Sequence, residues 1–274
     1  MRVTVITVCY NASSTIEKTM MSVLMQTYAD MEYLVVDGSS TDDTTEKVKK
    51  LFSSFPDKRT KLVSEPDRGI YDAMNKGISM ANGEWVNMMN SGDYFNDNNV
   101  LEKVLSDSNI NKYGIIYSDF ILHGNNGSHI EIASETTGNL LHQSIIYKKE
   151  LHQKYGFYST KQPIIASDFL FFCLIPSSLY YKTDTIIANY NLYGISNQGY
   201  WCALQILCLK YVFHKIELSA LLKNLMGIFI LDNNFGSIKL GKMILSICSR
   251  NFVKRYFPES LFRITRLLYH KLVK

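Results

Sequence analysis

Short apolar runs alternate with amphipathic segments over the first hundred residues, and this alternation constrains the fold more than any other feature. The runs are Val3–Val8, Tyr33–Val36, Lys61–Ser64 and Glu84–Met89. Runs of four to eight residues rich in β-branched side chains are typical of buried strands, and the segments between them carry apolar residues at helical spacing. Repeated βα units require parallel strands joined by right-handed crossovers. We therefore predict an α/β fold, Rossmann-like, with a mainly parallel sheet flanked by helices.

Local signals predict where the first three helices begin. Ser14 and Glu17 have the spacing of a capping box, which predicts a helix from Ser14 onward. Thr41 precedes the polar segment 42–51 and is predicted to cap the second helix. The third helix is predicted over residues 71–81, where Asn82-Gly83 ends the pattern.

The pattern changes after residue 100. Strands are predicted over 113–122, 129–133 and 144–147, and residues 167–174 are predicted to form a helix or a strand-to-helix turn. From residue 200 onward the apolar positions recur at helical spacing. We predict an α/β domain over residues 1–199 and a helical, basic appendage over residues 200–274.

Charge is unevenly distributed between these two regions. The net charge is only +4, which argues against a nucleic-acid partner. Residues 1–199 carry 17 basic and 22 acidic side chains, whereas residues 239–274 carry nine basic side chains and the single acid Glu259. Because these basic residues interleave with apolar ones, we predict that the C-terminal region lies on an anionic membrane surface. The alternative is a helical appendage that packs its apolar side on the α/β domain.

Cysteine usage and hydropathy predict a cytoplasmic protein, and the basic C-terminal region predicts a peripheral location on the inner face of the membrane. The five cysteines are scattered and include no CxxC pair, as expected in a reducing compartment. The N-terminal apolar run is short and lacks a cleavage site, so we interpret it as a strand rather than a signal peptide. Charged residues interrupt the apolar stretch 201–231, so no transmembrane segment is predicted.

Polar clusters follow three of the predicted strands. They are Cys9–Asn11, Asp37–Thr41 and Asn90–Asp93. Ligands of open parallel sheets bind beyond the carboxyl ends of the strands, so these clusters are candidate site residues. The sequence contains neither GxGxxG after the first strand nor a P-loop, so phosphates require another partner. A divalent cation held by one acid, with Asp93 well placed, would provide it.

Four segments together resemble family 2 glycosyltransferases of the GT-A fold. They are Val3–Asn11, Tyr33–Asp42, Ser64–Gly77 and Asn90–Asp93, and the resemblance extends over residues 1–200. It implies an inverting, non-processive transferase of bacterial surface-polysaccharide biosynthesis that uses Mn²⁺ or Mg²⁺. The implied donor is a nucleotide sugar, UDP-linked, and the implied acceptor is a glycan or lipid-linked glycan. Residues 1–100 would be the nucleotide-binding half and residues 101–199 the acceptor half.

The resemblance also implies a role for each site residue. The nucleotide-binding set is Thr7, Tyr10, Asp37 and Asp67; the metal ligand is Asp93; the catalytic base is Asp168; and the acceptor-side residues are His142, Gln143, Asp72 and Asn75. The sequence departs from many relatives at residues 90–92, where Asn-Ser-Gly stands in place of further acids.

Structural roles remain open for the same residues. Asp37 could form an Asx turn, Asp93 could be a turn residue, and Asp168 could be a helix N-cap. Asp72 and Asn75 could serve only the start of their helix. His142 could be structural, an acceptor contact or a third metal ligand.

Two other function classes also remain open. The reduced acidic motif would suit a non-catalytic module that binds a nucleotide or a sugar. A sugar-phosphate nucleotidyltransferase would also use a metal beside such a sheet. That class should carry a Gly-rich loop with a basic residue after the first strand, and the residues at 9–13 are Cys-Tyr-Asn-Ala-Ser.

Overall fold

The computed structural model describes residues 2–124, 127–161, 166–192, 201–217, 219–221 and 223–225. The chain divides into two compact units. The first comprises Met1–Tyr158 and Ile175–Ile195, and the second comprises Ser159–Leu174 and Ser196–Lys274. The predicted boundary between residues 199 and 200 and the basic region 239–274 lie outside the described residues.

Eleven strands and seven helices are named in chain order. The strands are β1 (Val3–Cys9), β2 (Met31–Asp37), β3 (Arg59–Ser64), β4 (Trp85–Met88), β5 (Tyr94–Phe95), β6 (Ile115–Tyr117), β7 (Phe120–Gly124), β8 (Gly127–Glu131), β9 (Ile145–Lys148), β10 (Tyr180–Lys182) and β11 (Ala188–Asn191). The helices are α1 (Ile16–Leu24), α2 (Thr44–Ser54), α3 (Ile70–Met80), α4 (Val100–Leu105), α5 (Leu151–Tyr155), α6 (Ser167–Leu174) and α7 (Trp201–Val212).

The first unit is built on a seven-stranded sheet in the order β10-β6-β9-β4-β1-β2-β3. β1 is parallel to β2 and β4, and β2 is parallel to β3, so the predicted parallel βα architecture is confirmed. β9 is antiparallel to both β4 and β6. All seven residues of β1 are buried, as the unbroken β-branched run predicted.

Helix α1 packs one apolar face on the sheet. Ile16, Met20 and Val23 are fully buried, and they recur at the spacing of one helical face. The predicted capping box is wrong, because Thr15 occupies the N-cap position and makes no side-chain cap hydrogen bond. The Thr41 cap is also wrong: α2 begins after Asp43, and the backbone N–H of Thr44 donates to Asp42 instead.

A second, four-stranded sheet in the order β5-β11-β7-β8 was not predicted. The segment 113–122, predicted as one strand, is divided at Ser118-Asp119 into β6 and β7, which belong to different sheets. The Ser118 hydroxyl donates to the Asp119 carbonyl at 2.6 Å and accepts from the backbone N–H of Ile187 at 2.9 Å. These bonds fix the change of direction that an apolar pattern does not show.

The second unit contains α6 and α7, and α6 has the bounds that were predicted. Its side chains are buried over most of the helix, including Phe169, Phe171 and Phe172. Within the described ranges, no helix is both long enough and apolar enough to cross a bilayer.

Candidate functional site

The carboxyl ends of β1, β2 and β3 meet at one edge of the parallel sheet. Cys9 pairs with Asp37 in the register of β1 and β2, and Asp37 pairs with Ser64 in that of β2 and β3. The turn 90–93 follows β4, the other neighbour of β1, and the backbone N–H of Ser91 donates to the Val8 carbonyl at 3.5 Å. The three predicted polar clusters therefore lie at the same edge of the sheet.

Asp37 is fully buried at this edge, and its carboxylate is surrounded by hydrogen-bond donors of the protein. One oxygen accepts from the Ser40 backbone N–H at 3.0 Å and from the Ser64 hydroxyl at 2.7 Å. The other oxygen accepts from the Ser40 hydroxyl. The geometry therefore shows a turn that ties the end of β2 to β3, and contact of Asp37 with a nucleotide stays a prediction.

Thr7 lies in the interior of the sheet rather than in a cleft. Its side chain is fully buried, and its hydroxyl donates to the Met89 carbonyl at 2.7 Å. The same hydroxyl lies 2.9 Å from that of Tyr33. The hydroxyl of Thr7 is hydrogen-bonded inside the sheet, and the role of Thr7 in lining the nucleotide pocket stays a prediction.

Tyr10 and Asp67 lie together at the turn after β2. Tyr10 is 62% exposed, and Asp67 is partly exposed. A Cβ added at Gly38 would stand 2.5 Å from Asp67 Oδ2 and 3.5 Å from Tyr10 Cδ2. Gly38 therefore permits both side chains to approach the turn. Asp67 Oδ1 accepts from the Gly69 backbone N–H at 2.8 Å, which leaves Oδ2 facing Gly38.

Asp93 ends the turn after β4 and is only 6% exposed. Its Oδ2 accepts from Gln143 Nε2 at 2.7 Å, and its Oδ1 accepts from the backbone N–H of Asn191 at 3.1 Å. Both partners are neutral amides. Burial raises the pKa of the Asp93 carboxyl to about 7, although these two hydrogen bonds act in the opposite direction.

The acceptor-side pair His142-Gln143 lies at the same edge of the sheet as Asp93. Both residues are in the 3-10 turn His142–Ser144 that leads into β9. Because β9 is antiparallel to β4, the start of β9 lies where β4 ends. Sequence reasoning selected Gln143 but missed its bond to Asp93, and it missed Asn191 entirely.

The residues around Asp93 fit a divalent cation that takes its remaining ligands from phosphates and water. Each carboxylate oxygen has two lone pairs, and each accepts only one hydrogen bond in the contacts above. No lysine, arginine or histidine pairs with Asp93 among the described residues. Asn90 Oδ1, in the same turn, is buried and has no hydrogen-bond partner in the described part of the chain.

The fit is to a single-carboxylate site and not to a cage of protein ligands. Over the ranges that the structure describes, no group of three or more His, Cys, Asp or Glu side chains is placed to hold a metal. Mg²⁺ and Mn²⁺ at phosphate sites need only one or two carboxylates, and the role of Asp93 as a metal ligand stays a prediction.

Asp72 and Asn75 make structural contacts on α3. Arg68 Nη2 donates to Asp72 Oδ1 at 2.8 Å, and this bond is the main reason that the pKa of Asp72 lies below its usual value. The Asn75 amide donates to the Tyr158 carbonyl at 2.8 Å and accepts from the Tyr158 N–H at 3.0 Å. Their predicted acceptor role stays a prediction.

Asp168 lies in the first turn of α6, in the second unit, and is partly exposed. Burial, and after it the negative charge of Asp168, raises the pKa of the Cys202 thiol to about 11. Asp168 is therefore close enough to α7 for its charge to act there. Its role as a base stays a prediction.

Sequence comparisons relate this chain to proteins that transfer sugars. The model of the family described as "Glycosyl transferase family 2" matches residues 4–169. A Mycobacterium bovis protein named PGL/p-HBAD biosynthesis glycosyltransferase is 27% identical over 191 residues, which cover 67% of this chain and 74% of that protein. The Escherichia coli UDP-Glc:alpha-D-GlcNAc-diphosphoundecaprenol beta-1,3-glucosyltransferase WfgD is 35% identical over 125 residues, covering 45% of this chain and 47% of its own.

Solved structures show the same fold at low sequence identity. S. aureus TarS in complex with UDP matches with a TM-score of 0.60 and 16% identity, over 92% of this chain and 72% of that one. The mannosyltransferase PcManGT from Pyrobaculum calidifontis, in complex with GDP-Man and Mn²⁺, matches with a TM-score of 0.62 and 17% identity. The match covers 98% of this chain and 84% of that one. These likenesses confirm the predicted GT-A fold.

Proposed function

Because this chain belongs to glycosyl transferase family 2, we propose that it moves a sugar from a nucleotide diphosphate donor to a glycan or lipid-linked glycan, with inversion at the anomeric carbon. The observation that carries the proposal is the Asp93 carboxylate, which is buried at the carboxyl edge of the parallel sheet among neutral partners. A buried carboxylate without a compensating charge is costly, and a cation bound with the donor would compensate it.

The nucleotide is proposed to bind beside the turn after β2. Tyr10 offers an exposed aromatic face, and Asp67 offers a partly exposed carboxylate next to it. We propose a UDP-linked donor, since the E. coli relative is named for UDP-Glc and the TarS structures hold UDP and UDP-GlcNAc. GDP-mannose is the alternative that the PcManGT complex suggests.

Asp93, with Asn90 Oδ1, is proposed to hold Mn²⁺ or Mg²⁺ against the diphosphate. When bound, the cation would stabilise the negative charge that develops on the leaving diphosphate. Gln143 Nε2 and the Asn191 backbone N–H orient the carboxylate through one oxygen each. A carboxylate fixed from both sides requires little reorganisation during the reaction.

Asp168 is proposed to be the general base. The acceptor oxygen forms its bond to the anomeric carbon while the bond between that carbon and the diphosphate oxygen breaks. The diphosphate oxygen keeps the electron pair of the broken bond. The acceptor proton passes to the Asp168 carboxylate. Attack from the face opposite the leaving group inverts the configuration, and one base suffices because the hydroxyl becomes acidic as its bond to carbon forms.

The acceptor is proposed to be presented at a membrane surface. The E. coli relative is named for a diphosphoundecaprenol-linked substrate. The basic residues 239–274 of this chain, which lie outside the described residues, would bind anionic lipid at about 1 kcal/mol per basic side chain. Flotation with anionic liposomes should therefore carry the full chain, and a chain ending near Tyr200 should stay in solution. Equal behaviour of the two would contradict this part of the proposal.

Release of nucleoside diphosphate tests the transfer itself. The panel is UDP-glucose, UDP-GlcNAc and GDP-mannose, each with Mn²⁺ and with or without a lipid-linked glycan. We expect release by the wild type and by Asp184→Asn, whose carboxylate is exposed on the first unit, but not by Asp168→Asn. If a nucleotide raises the melting temperature but no donor is consumed, the chain is a binding module and the proposal is wrong.

A further inference from the structure

Four aromatic and imidazole side chains form a buried chain of hydrogen bonds behind the candidate site. His152 Nδ1 lies 3.1 Å from the Gly156 carbonyl, and its Nε2 lies 3.1 Å from the Tyr147 hydroxyl. The Tyr147 hydroxyl lies 2.9 Å from that of Tyr158, which lies 3.1 Å from His142 Nε2. All four rings are buried.

The donor and the acceptor in each of these hydrogen bonds can be assigned starting from His152. A carbonyl only accepts, so His152 Nδ1 must donate to Gly156. Burial lowers the pKa of His152 to about 4, so its ring is neutral at pH 7 and Nε2 is an acceptor. Tyr147 must therefore donate to His152, which uses its only hydroxyl proton.

Counting the hydroxyl protons in the same way also determines the tautomer of His142. Tyr147 has no proton left, so the bond between the two hydroxyls exists only if Tyr158 donates. Tyr158 has then used its own proton, and its contact with His142 is a hydrogen bond only if His142 Nε2 carries the proton. His142 and His152 therefore have opposite tautomers.

Tyr158 is itself held in place by the motif that opens α3. The Asn75 side-chain amide makes two bonds to the Tyr158 backbone, one to the carbonyl and one from the N–H. The Tyr71 ring lies 5.8 Å from that of Tyr158, between ring centroids. The position of the Tyr158 hydroxyl is thus set by contacts on both its backbone and its ring.

The turn that His142 begins also carries the partner of Asp93. Gln143 donates to Asp93 Oδ2 at 2.7 Å, and the Gln143 carbonyl accepts from Asn87 Nδ2 at 3.0 Å. We propose that Tyr158 is a positioning residue: its hydroxyl fixes His142 in the Nε2–H tautomer and so holds the turn 142–144, with Gln143, against Asp93. This deepens the proposed function, on which only the kinetic part of the test rests.

Nitrogen-15 spectra of the histidine side chains test the proposal without any substrate. The full chain is labelled, and the signals are assigned with His142→Gln and His152→Gln. At pH 7 we expect the Nε2–H tautomer for His142 and the Nδ1–H tautomer for His152. The Nδ1–H tautomer at His142, or a proton on Nε2 of His152, would overturn the proposal.

Tyr147→Phe separates a directional relay from simple packing. Tyr158 then loses its acceptor and can donate to His142 Nε2. We therefore expect the Nδ1–H tautomer of His142 to become populated, although the hydrogen bond that is removed is between Tyr147 and Tyr158. Tyr155→Phe, which removes the hydroxyl of a buried side chain outside the relay, should leave the His142 signals unchanged. Signals of His142 in Tyr147→Phe that match the wild type would count against the relay.

Kinetics test the positioning role, with whichever of UDP-glucose, UDP-GlcNAc or GDP-mannose the chain consumes. Tyr158→Phe should lower kcat about tenfold, the scale of outer partners at such sites, with KM for the donor changed less than about twofold. A kcat equal to that of Tyr155→Phe would refute the role. If no donor is consumed, the proposed function fails while the spectra still decide the tautomer.

Discussion

Two acidic side chains at the same edge of the sheet are treated in opposite ways. Asp42, after β2, accepts from the Thr44 hydroxyl and backbone N–H and from the Ser13 N–H at 3.1 Å. These bonds, that from the Thr44 hydroxyl first, lower the pKa of Asp42 to about 2. Asp93, after β4, is buried between two amides, and burial raises its pKa to about 7.

The difference lies in where the hydrogen-bond donors come from. The Thr44 hydroxyl and backbone N–H, two residues away, both donate to Asp42, so its own turn contributes to stabilising the charge. Asp93 is held by Gln143 and Asn191, which are 50 and 98 residues distant. The Asp93 carboxylate is thus buried and oriented by distant residues without being neutralised, as the proposed cation site requires. The Asp42 carboxylate is therefore stabilised within the fold, whereas the Asp93 carboxylate lies at the proposed cation site.

Asp93→Asn should produce the largest effect on turnover. The change keeps the shape but removes the charge that would hold the cation, so we expect donor turnover to fall by about a thousandfold or more. Diphosphate release with Mn²⁺ measures it. Asp42→Asn should lower turnover by less than about tenfold, and equal losses in the two variants would contradict the distinction.

The pH dependence of stability should distinguish the same two regions in metal-free buffer. The folded pKa of Asp93, about 7, lies above its usual value of 3.8. Folding then favours the protonated form, so this contribution is complete below pH 4 and is lost as the pH rises through 7. It amounts to about 4 kcal/mol in the free energy of unfolding.

Denaturant titrations of wild type and Asp93→Asn at several pH values measure this loss. We expect the free energy of unfolding of Asp93→Asn to rise relative to that of the wild type as the pH rises from 4 to 7. For Asp42→Asn we expect a pH dependence of stability with the opposite sign, at lower pH. The stabilisation that a lowered pKa provides is present above pH 3.8 and is lost towards pH 2. Parallel curves for wild type and Asp93→Asn would show that Asp93 is not strained by burial.

His152 extends the comparison to the relay behind Asp93, with a smaller effect. Burial lowers its pKa from 6.5 to about 4. A lowered histidine pKa stabilises the fold above pH 6.5, and that contribution is lost as the pH falls through 4, by about 3 kcal/mol. Wild type should therefore lose stability relative to His152→Gln over this range. The loss is measured by comparing the free energies of unfolding of wild type and His152→Gln at pH 7 and at pH 4.5. The same difference at both pH values would contradict a neutral buried His152 ring.

The parallel half of the fold was predictable because its information is local. The apolar runs that became β1, β2 and β4 are recognisable from composition alone, and the carboxyl edge follows from the parallel arrangement. The insertion of β9 as an antiparallel strand between β4 and β6 was not predictable, since strand order depends on pairings far apart in sequence.

The candidate site divides along the same line. Motifs identified Asp93 and Gln143 separately, but no spacing rule predicts a hydrogen bond across 50 residues. Thr7 was selected by its place in a motif, and the motif did not show that the hydroxyl bonds to Met89 and Tyr33 inside a strand that is buried throughout. Periodicity indicates which segments form strands and helices, but not which polar atoms hydrogen-bond to one another.

Gly38→Ala should give the smallest effect and would sharpen the account of the turn after β2. The added Cβ would stand 2.5 Å from Asp67 Oδ2, the free end of a side chain, so Asp67 can rotate away at little cost in stability. We expect the free energy of unfolding to change by less than about 0.5 kcal/mol. If Asp67 contacts the nucleotide, KM for the donor should rise about fivefold with kcat unchanged, as for a loss of uniform binding.

Gly114→Ala is the matched control, because its Cβ would make an ordinary contact of 3.4 Å with Leu151. It should leave KM, kcat and stability as in the wild type. An unchanged KM in Gly38→Ala would mean that the carboxylate of Asp67 does not reach the nucleotide. The turn after β2 would then serve the fold throughout, and recognition of the donor would depend on Tyr10 and on the Asp93 side alone.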